Sequence, residues 1–513
     1  MKNKKQLFLN LVFSAFSFVV GPGINFIIYP YIIMHLGVEA FGFAALAASF
    51  VGYAQLATVA IHSMAGRFIT VKLHEGDVEG ANRYFNSVLI TNFLMGFILF
   101  IVLFICVIYL ERIVRVPEAI ISDVKYLFSF TFAGFIVSVL TNTFGVGLFA
   151  SNRLDIASVR DTAGSVIRGI ILFLLFYFLK PQVFYLGIGT FIMTLWVSLS
   201  SIYFTKRMIP EISINWKFEF KAVIEIASAG AWNLLSRLSG ILAQGIDLLI
   251  ANLFISPAAM GVISVSKTLP VMLINITGMF TGVFAPQLTI SYAKKDYEDI
   301  KKQVFFSIKM LGMITGIPVA IITIYSGDFY RLWVPGQDAV LLQILTVIAI
   351  INLVISGPFG VFYNIFTAVN KIKTASIVAF IQSIISFITV ISLLYVFKDE
   401  NTRMIMIVSV SSAFSLLLNL TFQPVYAANC LNFKWNTFYP LMLRNIISYI
   451  VFTAGLAGLR YLYVPNQWVS LILLCVLFCI LGLILYYNII FTKGEKERIV
   501  ELFAKNLKRA AAK

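Results

Sequence analysis

The stretch AGAWNLLSRLSGILAQGIDLLIANLF, residues 229–254, carries a line of polar residues through an otherwise apolar segment. The members follow one another at steps of 4, 3, 4 and 3: Asn233, Arg237, Gly240, Gln244 and Asp247. This spacing predicts that they share one face of an α-helix, within about 40° of a line. An ionisable residue at membrane depth costs at least ~2.5 kcal/mol unless it faces water, a partner or a ligand. The stretch therefore predicts a membrane helix that lines a hydrated cavity.

The whole chain is far more apolar than a soluble protein. Of its 513 residues, 60% are hydrophobic and 12% are charged, whereas roughly 25% of the residues of a soluble domain are charged. Fourteen apolar stretches between residues 7 and 491 are each long enough to cross a hydrocarbon core of ~30 Å. We expect an all-α polytopic membrane protein with 14 transmembrane helices.

The net charge of +16 follows from the membrane topology and does not indicate a nucleic-acid partner. Most of the 39 Lys and Arg residues lie in the two termini and in alternate connections between the apolar stretches. Basic residues accumulate on the cytoplasmic side of membrane proteins. This distribution predicts that both termini are cytoplasmic and that the number of helices is even.

The sequence repeats itself at an offset of 219, which becomes 218 further along. LGVEAFG, residues 36–42, corresponds to ISPAAMG, residues 255–261. The matched pairs include Ala40/Ala259, Gly42/Gly261, Asp77/Asp296 and Asn152/Asn370. Six helices separate equivalent points, so the two halves have the same orientation, which is the parallel-repeat plan of some transporters. We expect six-helix lobes at 1–217 and 218–432, followed by helices 13 and 14 and a basic tail at 433–513.

Three cations within the apolar stretches predict an anionic ligand. Arg237, Lys267 and Arg168 face a single acid at comparable depth, Asp247. Arginine suits phosphate through its planar fork, and lysine acts as a point charge. Two structural alternatives stay open, since Arg168 could extend to the membrane interface and Lys267 could pair with Asp247. If it is not such a structural partner, Asp247 is a candidate for ion coupling.

Uncharged polar residues extend the predicted substrate site. Asn233 and Gln244 correspond through the repeat to Ser14 and Asn25 on helix 1, and all four are expected to contact sugar or water. His62 shares a face of helix 2 with Gln55 and Thr58, either as cavity lining or in hydrogen bonds between helices. His62 is the second ion-coupling candidate.

Neither catalysis nor a metal site is expected from the sequence. The chain has three histidines, no HExxH pattern and no phosphate-binding glycine loop between a strand and a helix. No cofactor is expected. Tyr330 and Trp333, in a loop beside Arg331 and Pro335, are interpreted as interfacial anchors.

Three segments and the duplication resemble the multidrug/oligosaccharidyl-lipid/polysaccharide (MOP) exporter superfamily. The segments are LGVEAFG (36–42), RFITVKLHEGDVEGANRYF (67–85) and GLFASNRLDIASV (147–159). Fourteen helices and a basic lumen look most like the polysaccharide-repeat flippase (Wzx-type) branch. Two other members of the superfamily remain alternatives: an ion-coupled multidrug or metabolite exporter of the MATE type, and a lipid II flippase.

The resemblance implies a transporter rather than an enzyme. Its cargo would be a polyprenyl-pyrophosphate-linked oligosaccharide, such as an O-antigen or other surface polysaccharide unit, which crosses the bacterial inner membrane by rocking of two MATE-like lobes. The resemblance also implies that transport is coupled to a proton or sodium gradient. The implied partners are this lipid-linked oligosaccharide, membrane lipids, and a glycan polymerase and glycosyltransferases.

Overall fold

The computed structural model describes residues 2–294, 296–491 and 495–496, which are predominantly helical. The first part of the chain forms α1 (Lys2–Ala54), α2 (Leu56–His74), α3 (Val78–Ile108), α4 (Leu110–Ile113), α5 (Ile121–Thr141), α6 (Val146–Ala150), α7 (Leu154–Phe178), α8 (Tyr185–Met208), α9 (Phe220–Gly240), α10 (Asp247–Phe254) and α11 (Pro257–Ser266). The remainder forms α12 (Thr268–Ala293), α13 (Tyr297–Trp333), α14 (Ala339–Ile351), α15 (Leu353–Phe359), α16 (Val361–Ala368), α17 (Ile372–Val396), α18 (Glu400–Leu420), α19 (Phe422–Cys430), α20 (Tyr439–Leu462) and α21 (Trp468–Ile490).

The all-α membrane fold is confirmed. Within the described ranges, thirteen helical segments are long and apolar enough to cross a membrane, so the count of fourteen stays a prediction. The first of these segments, Val20–Ala54, contains Gly37, whose backbone (φ 86°, ψ 166°) leaves the helical region. Only glycine adopts this conformation without strain. The predicted helices 1 and 2 divide at this point.

The chain packs as two compact units, Met1–Val265 and Ser266–Lys513. Helix neighbours recur in both: α2–α3, α3–α5, α5–α8 and α7–α8 in the first, and α12–α13, α13–α14, α14–α18 and α17–α18 in the second. The duplication read from the sequence is thus a duplication of packing. The first unit includes α9, α10 and α11, which the sequence assigns to the second lobe. The lobe boundaries at 217/218 and 432/433 remain predictions about the repeat.

Two local signals are duplicated as well. Asn152 and Asn370 both adopt left-handed backbone conformations, with φ of 52° and 57°, which asparagine tolerates better than most residues. Asp77 and Asp296 both cap a long helix, accepting hydrogen bonds from Gly80 N and Asp299 N. The bond from Gly80, followed by the contact with Lys72, lowers the pKa of the Asp77 carboxyl.

Equivalent glycines of the two repeats touch each other. A Cβ atom added to Gly42 would lie 2.8 Å from the Cα of Gly261. Real carbon atoms in contact are about 3.5–4.0 Å apart. The crossing between the second helical part of α1 and α11 therefore depends on the absence of side chains at both positions.

The connection between α8 and α9 is fixed along α3. Asn82 donates to the Glu211 carbonyl at 3.0 Å and accepts from Ser213 N at 2.8 Å. One turn later, Asn86 donates to the Ser213 carbonyl and accepts from Asn215 N, both at 2.9 Å. Two side-chain amides thus satisfy the backbone of this extended segment, as a neighbouring strand would.

Helices α20 and α21 pack on α13, with ion pairs at both ends of the contact. Arg331 and Arg460 both contact Asp328, at 2.6 and 3.0 Å, and the Asp328 side chain is fully buried. At the other end, Lys309 contacts Glu495 at 2.6 Å. The interpretation of Tyr330 and Trp333 as interfacial anchors is wrong. They are 0% and 2% exposed, because α13 continues through them and presents them to the protein interior.

Candidate functional site

The polar line of residues 233–247 is interrupted by a π-helical turn. Helix α9 ends at Gly240, residues Ile241–Gly245 form π-helix, and α10 starts at Asp247. A π-turn takes in one extra residue and rotates the residues after it by about 100° relative to a straight helix. The prediction of one continuous face is therefore wrong. Arg237 is exposed, whereas Asp247 is 3% exposed.

The first half of this line contacts α2 and the residue that precedes it. Arg237 Nη2 donates to Gln55 Oε1 at 3.2 Å, and Asn233 Nδ2 donates to Ser63 Oγ at 3.1 Å. Glycine at position 52 lies opposite the same guanidinium. The Arg237 partner is a neutral amide, and no carboxylate of the described residues forms a salt bridge with it. A guanidinium has five N–H donors, so this cation keeps capacity for an anion.

Close packing brings α9 to α2 at Gly230. A Cβ there would lie 2.7 Å from the carbonyl carbon of Ala60 and 3.0 Å from its Cα. This approach places Asn233 and Arg237, one and two turns further on, within reach of Ser63 and Gln55.

Arg168 and Asn25 are brought together between α7 and α1. Arg168 Nη1 donates to Asn25 Oδ1 at 2.8 Å, and the Tyr29 hydroxyl hydrogen-bonds to the same guanidinium. The buried Arg168 Nε has no hydrogen-bond partner among the described residues. The stem of Arg168 lies against Gly189 of α8.

The interpretation that Arg168 extends to the membrane interface does not fit this contact. Helices α1 and α7 run alongside each other at a nearly constant offset, as the Ser14–Ser158 and Tyr31–Phe176 hydrogen bonds show. Asn25 lies at the level of Arg168 itself under that offset. The guanidinium is thus held laterally by α1.

Ser14 lies in the α1–α7 contact, where its Oγ is 3.0 Å from Ser158 Oγ. The Gln244 side chain lies outside the described residues. A role in substrate contact for either residue therefore remains a prediction.

Asp247 and Tyr53 form the inner part of the site. The Tyr53 hydroxyl donates to the Gly245 carbonyl at 2.7 Å and lies in the electrostatic field of Asp247. The π-turn weakens the local hydrogen-bond ladder, and Tyr53 satisfies one of its carbonyls. Further on, Asn252 binds both the N–H and the carbonyl of Arg115, at 2.8 and 3.0 Å.

Lys267 lies in the second unit, at the break between α11 and α12. Pro270 has no N–H with which to bond the Ser266 carbonyl. Thr346 and Tyr330 donate to that carbonyl instead, at 3.0 and 3.4 Å. The half-buried Lys267 side chain is thus presented at an interruption of the helix.

His62 faces α3. Its Nε2 lies 2.9 Å from Asn92 Oδ1, and Asn92 Nδ2 donates to Thr143 Oγ1 at 2.9 Å. Because the Asn92 amide already donates to Thr143, we assign the proton to His62 Nε2. Of the two interpretations of this face, His62 fits hydrogen bonding between helices, whereas Gln55 accepts the hydrogen bond from Arg237.

A cavity of about 520 Å³ in the first unit was not anticipated from the sequence. Its lining comes from α1, α5, α7 and α8 and is rich in hydroxyl groups: Thr131, Ser138, Thr141, Thr190, Thr194, Ser198 and Ser201. Arg160, Asp161 and Gln55 also line it. The sequence does contain the signal, since Thr190, Thr194, Ser198 and Ser201 follow at steps of 4, 4 and 3 on one face of α8. Its charged residues, Arg160 and Asp161, are adjacent and opposite in sign, so they give no sign of an unbalanced charge.

Comparisons with known proteins agree with this architecture. The profile of the family described as "Polysaccharide biosynthesis protein" matches residues 8–290. The chain is also similar to the uncharacterized membrane protein EpsK of Bacillus subtilis (strain 168). The two are 26% identical over 499 residues, which are 97% of this chain and 98% of the relative.

Two solved structures share the fold. One is an inward-facing multidrug resistance MATE family transporter of the MOP superfamily, with a TM-score of 0.63 and 16% identity over 83% of this chain and 98% of that one. The other is the lipid II flippase MurJ in an inward closed conformation. It has the same TM-score and identity over 94% of this chain and 99% of that one.

Proposed function

Because the chain belongs to the polysaccharide biosynthesis protein family, we propose that it is a flippase of the MOP superfamily for a polyprenyl-pyrophosphate-linked oligosaccharide. The cargo would be an O-antigen unit or another surface polysaccharide repeat unit. It would cross the bacterial inner membrane by alternating access, with both termini of the protein in the cytoplasm.

The observation that carries this proposal is the state of Arg237. Its guanidinium is exposed on a membrane helix and hydrogen-bonded to the neutral Gln55. A cation in this position costs at least ~2.5 kcal/mol unless water or a ligand stabilises it. Pyrophosphate would supply that stabilisation through paired charge-assisted hydrogen bonds.

The other predicted residues take supporting roles. Lys267 would add a second cation to the phosphate contact, and Arg168 would assist from the α1–α7 contact. The polar groups Asn233, Gln244, Asn25 and Ser14 would contact sugar or water. The polyprenyl chain would stay in the lipid along α20 and α21, whose outer faces are apolar. Exposed residues include Leu443, Ile447 and Ile450 on α20 and Leu473, Val476, Leu477 and Ile480 on α21.

Asp247 and His62 remain the candidates for coupling to a proton or sodium gradient. Asp247 follows a π-turn, and such turns are frequent at functional sites. Glycosyltransferases would supply the cargo, and a glycan polymerase would consume it.

The test is export by Arg237→Ala, with Arg237→Lys and Arg207→Ala as matched variants. A hydrogen bond to a charged group contributes about 1.5–3 kcal/mol, so Arg237→Ala should reduce surface glycan at least ~10-fold at an unchanged membrane level. Arg237→Lys keeps the positive charge but loses the paired N–H donors of the planar guanidinium, and it should retain part of the export. Arg207, at the end of α8, is hydrogen-bonded to Tyr203, and its replacement should leave export unchanged.

Measurement combines surface polysaccharide with lipid-linked intermediates in a strain that lacks its own copy. Normal export by Arg237→Ala would reject the proposed phosphate contact. The second candidate is an ion-coupled multidrug exporter, favoured by the fold shared with a MATE transporter. It would be supported instead if the protein conferred resistance to organic cations in a sensitised host.

A further inference from the structure

We propose that the hydroxyl-lined cavity of the first unit binds an uncharged pyranose of the cargo, separately from the phosphate contact at Arg237. This inference rests on the proposed function and deepens it by assigning the glycan a compartment of its own. The cavity of about 520 Å³ lies within the ~300–1,000 Å³ range of small-molecule sites.

The hydroxyl groups of the wall present mainly acceptors. Thr131 Oγ1 donates to the Leu127 carbonyl at 2.8 Å, and Thr190 and Thr194 donate to the carbonyls four residues earlier, both at 2.9 Å. A hydroxyl has one hydrogen. With that hydrogen committed to the backbone, its lone pairs remain for a ligand that carries several O–H donors.

Arg160 supplies the complementary donors. Its Nε donates to Asp161 Oδ1 at 2.9 Å and its Nη1 to Ser201 Oγ at 2.7 Å. A guanidinium has five N–H groups, so further donors remain beside these two bonds. The Arg160 side chain is 13% exposed and that of Asp161 44% exposed, so the pair is anchored in the wall and its acid is accessible.

The charges of this cavity cancel. Arg160 and Asp161 are its charged lining residues, and their contact at 2.8 Å pairs one cation with one anion. An anionic ligand gains no net attraction there, in contrast to Arg237. A ligand with many hydroxyl groups and no charge satisfies both the acceptor wall and the remaining donors. Apolar Phe135, Met193 and Val197 line the same space and suit the C–H faces of a sugar ring.

Gln55 joins the cavity to the phosphate contact. It lines the cavity, and its Oε1 accepts the hydrogen bond from Arg237. A cargo with an anionic head and an uncharged sugar next to it therefore matches two adjoining surfaces of the first unit.

The experiment measures protection of a cysteine from a small maleimide in lipid nanodiscs, since detergents with sugar headgroups would compete. The four native cysteines, Cys106, Cys430, Cys475 and Cys479, are first replaced by serine. Ser138→Cys reports on the cavity. Ser129→Cys is the matched control, because both serines are exposed on α5 and only Ser138 lines the cavity.

The probes are neutral methyl glycosides (glucoside, galactoside, mannoside and N-acetylglucosaminide) and inorganic pyrophosphate. At least one glycoside should slow labelling of Ser138→Cys and leave Ser129→Cys unchanged, and pyrophosphate should protect neither. Adding Arg160→Ala should raise the half-protecting glycoside concentration at least ~10-fold, since it removes a charged hydrogen-bond donor.

Asp161→Asn provides a gain-of-function arm that a purely structural role would not produce. It leaves the Arg160 charge unbalanced, so pyrophosphate should now protect Ser138→Cys. The proposal is overturned if no glycoside protects, if both cysteines are slowed equally, or if pyrophosphate protects the cavity without Asp161→Asn. Glycoside protection together with normal export by Arg237→Ala would reject the phosphate contact while the sugar site stands.

Discussion

Replacing Gly230 with alanine adds one methyl group at the closest approach between α9 and α2. The added carbon would lie 2.7 Å from the Ala60 carbonyl carbon and 3.0 Å from its Cα. The Ala60 carbonyl oxygen would be closer still. Carbon contacts normally measure about 3.5–4.0 Å, so the helices must separate by at least ~1 Å. Backbone atoms form the obstacle, so no side-chain rotation relieves the contact.

Two opposing effects decide the free energy of unfolding of Gly230→Ala. Alanine favours a helix over glycine by about 1 kcal/mol, whereas overpacking typically costs 1–3 kcal/mol. Because the clash involves the backbone, we expect the upper end of that cost and a net loss of about 2 kcal/mol. The separation would also lengthen the hydrogen bonds of Asn233 and Arg237 to α2 and Gln55.

Gly240→Ala is the matched control in the same helix. Among the described residues, no atom outside its own stretch of helix lies within 4 Å of a Cβ at Gly240. The helix-propensity gain therefore stands alone, and this variant should unfold at or above the wild-type temperature. Thermal unfolding followed by size-exclusion fluorescence gives the order of the three proteins, and unfolding in dodecyl sulfate gives the free-energy difference. A Gly230→Ala protein as stable as Gly240→Ala would refute the close approach.

Other expectations concern stability elsewhere in the chain. Asn86→Ala removes three hydrogen bonds to the segment between α8 and α9 and should expose that segment to limited proteolysis. Asn488→Ala, at an exposed site, should not; equal cleavage of both variants would contradict the fixed connection. Asp328→Asn removes the buried carboxylate that Arg331 and Arg460 contact. It should lower the free energy of unfolding, measured in dodecyl sulfate, by about 1.5–3 kcal/mol, the usual contribution of hydrogen bonds to charged groups. A change no larger than that of the exposed Asp338→Asn would reject a stabilising role for these ion pairs.

The duplication was the most predictable part of the fold. Its matched pairs rest on local requirements, such as the left-handed backbone at Asn152 and Asn370 and the helix caps at Asp77 and Asp296, which each half must satisfy by itself. The sequence therefore carries these signals twice, and the offset between them survives even where the surrounding residues differ.

The candidate site was only partly predictable. Helical spacing placed Arg237 on a polar face, but the π-turn at 241–245 depends on a tertiary partner, Tyr53, that no local pattern reveals. Burial of Tyr330 depends likewise on Ser266, which lies 64 residues earlier in the chain. The cavity at Arg160 was missed because uncharged hydroxyl groups in membrane helices usually bond to their own backbone, and their periodicity alone does not reveal a space between helices.

The contact between Gly42 and Gly261 has an evolutionary consequence. In a six-helix ancestor that assembled as a symmetric dimer, a residue touching its own copy lies on the two-fold axis. One mutation at that codon would have enlarged both sides of the crossing at once. Fusion of two such genes would split that single genetic position into two. Each glycine must then be kept separately, because a Cβ at Gly42 would meet the Gly261 Cα at 2.8 Å and one at Gly261 would meet the Val38 carbonyl carbon at 2.7 Å.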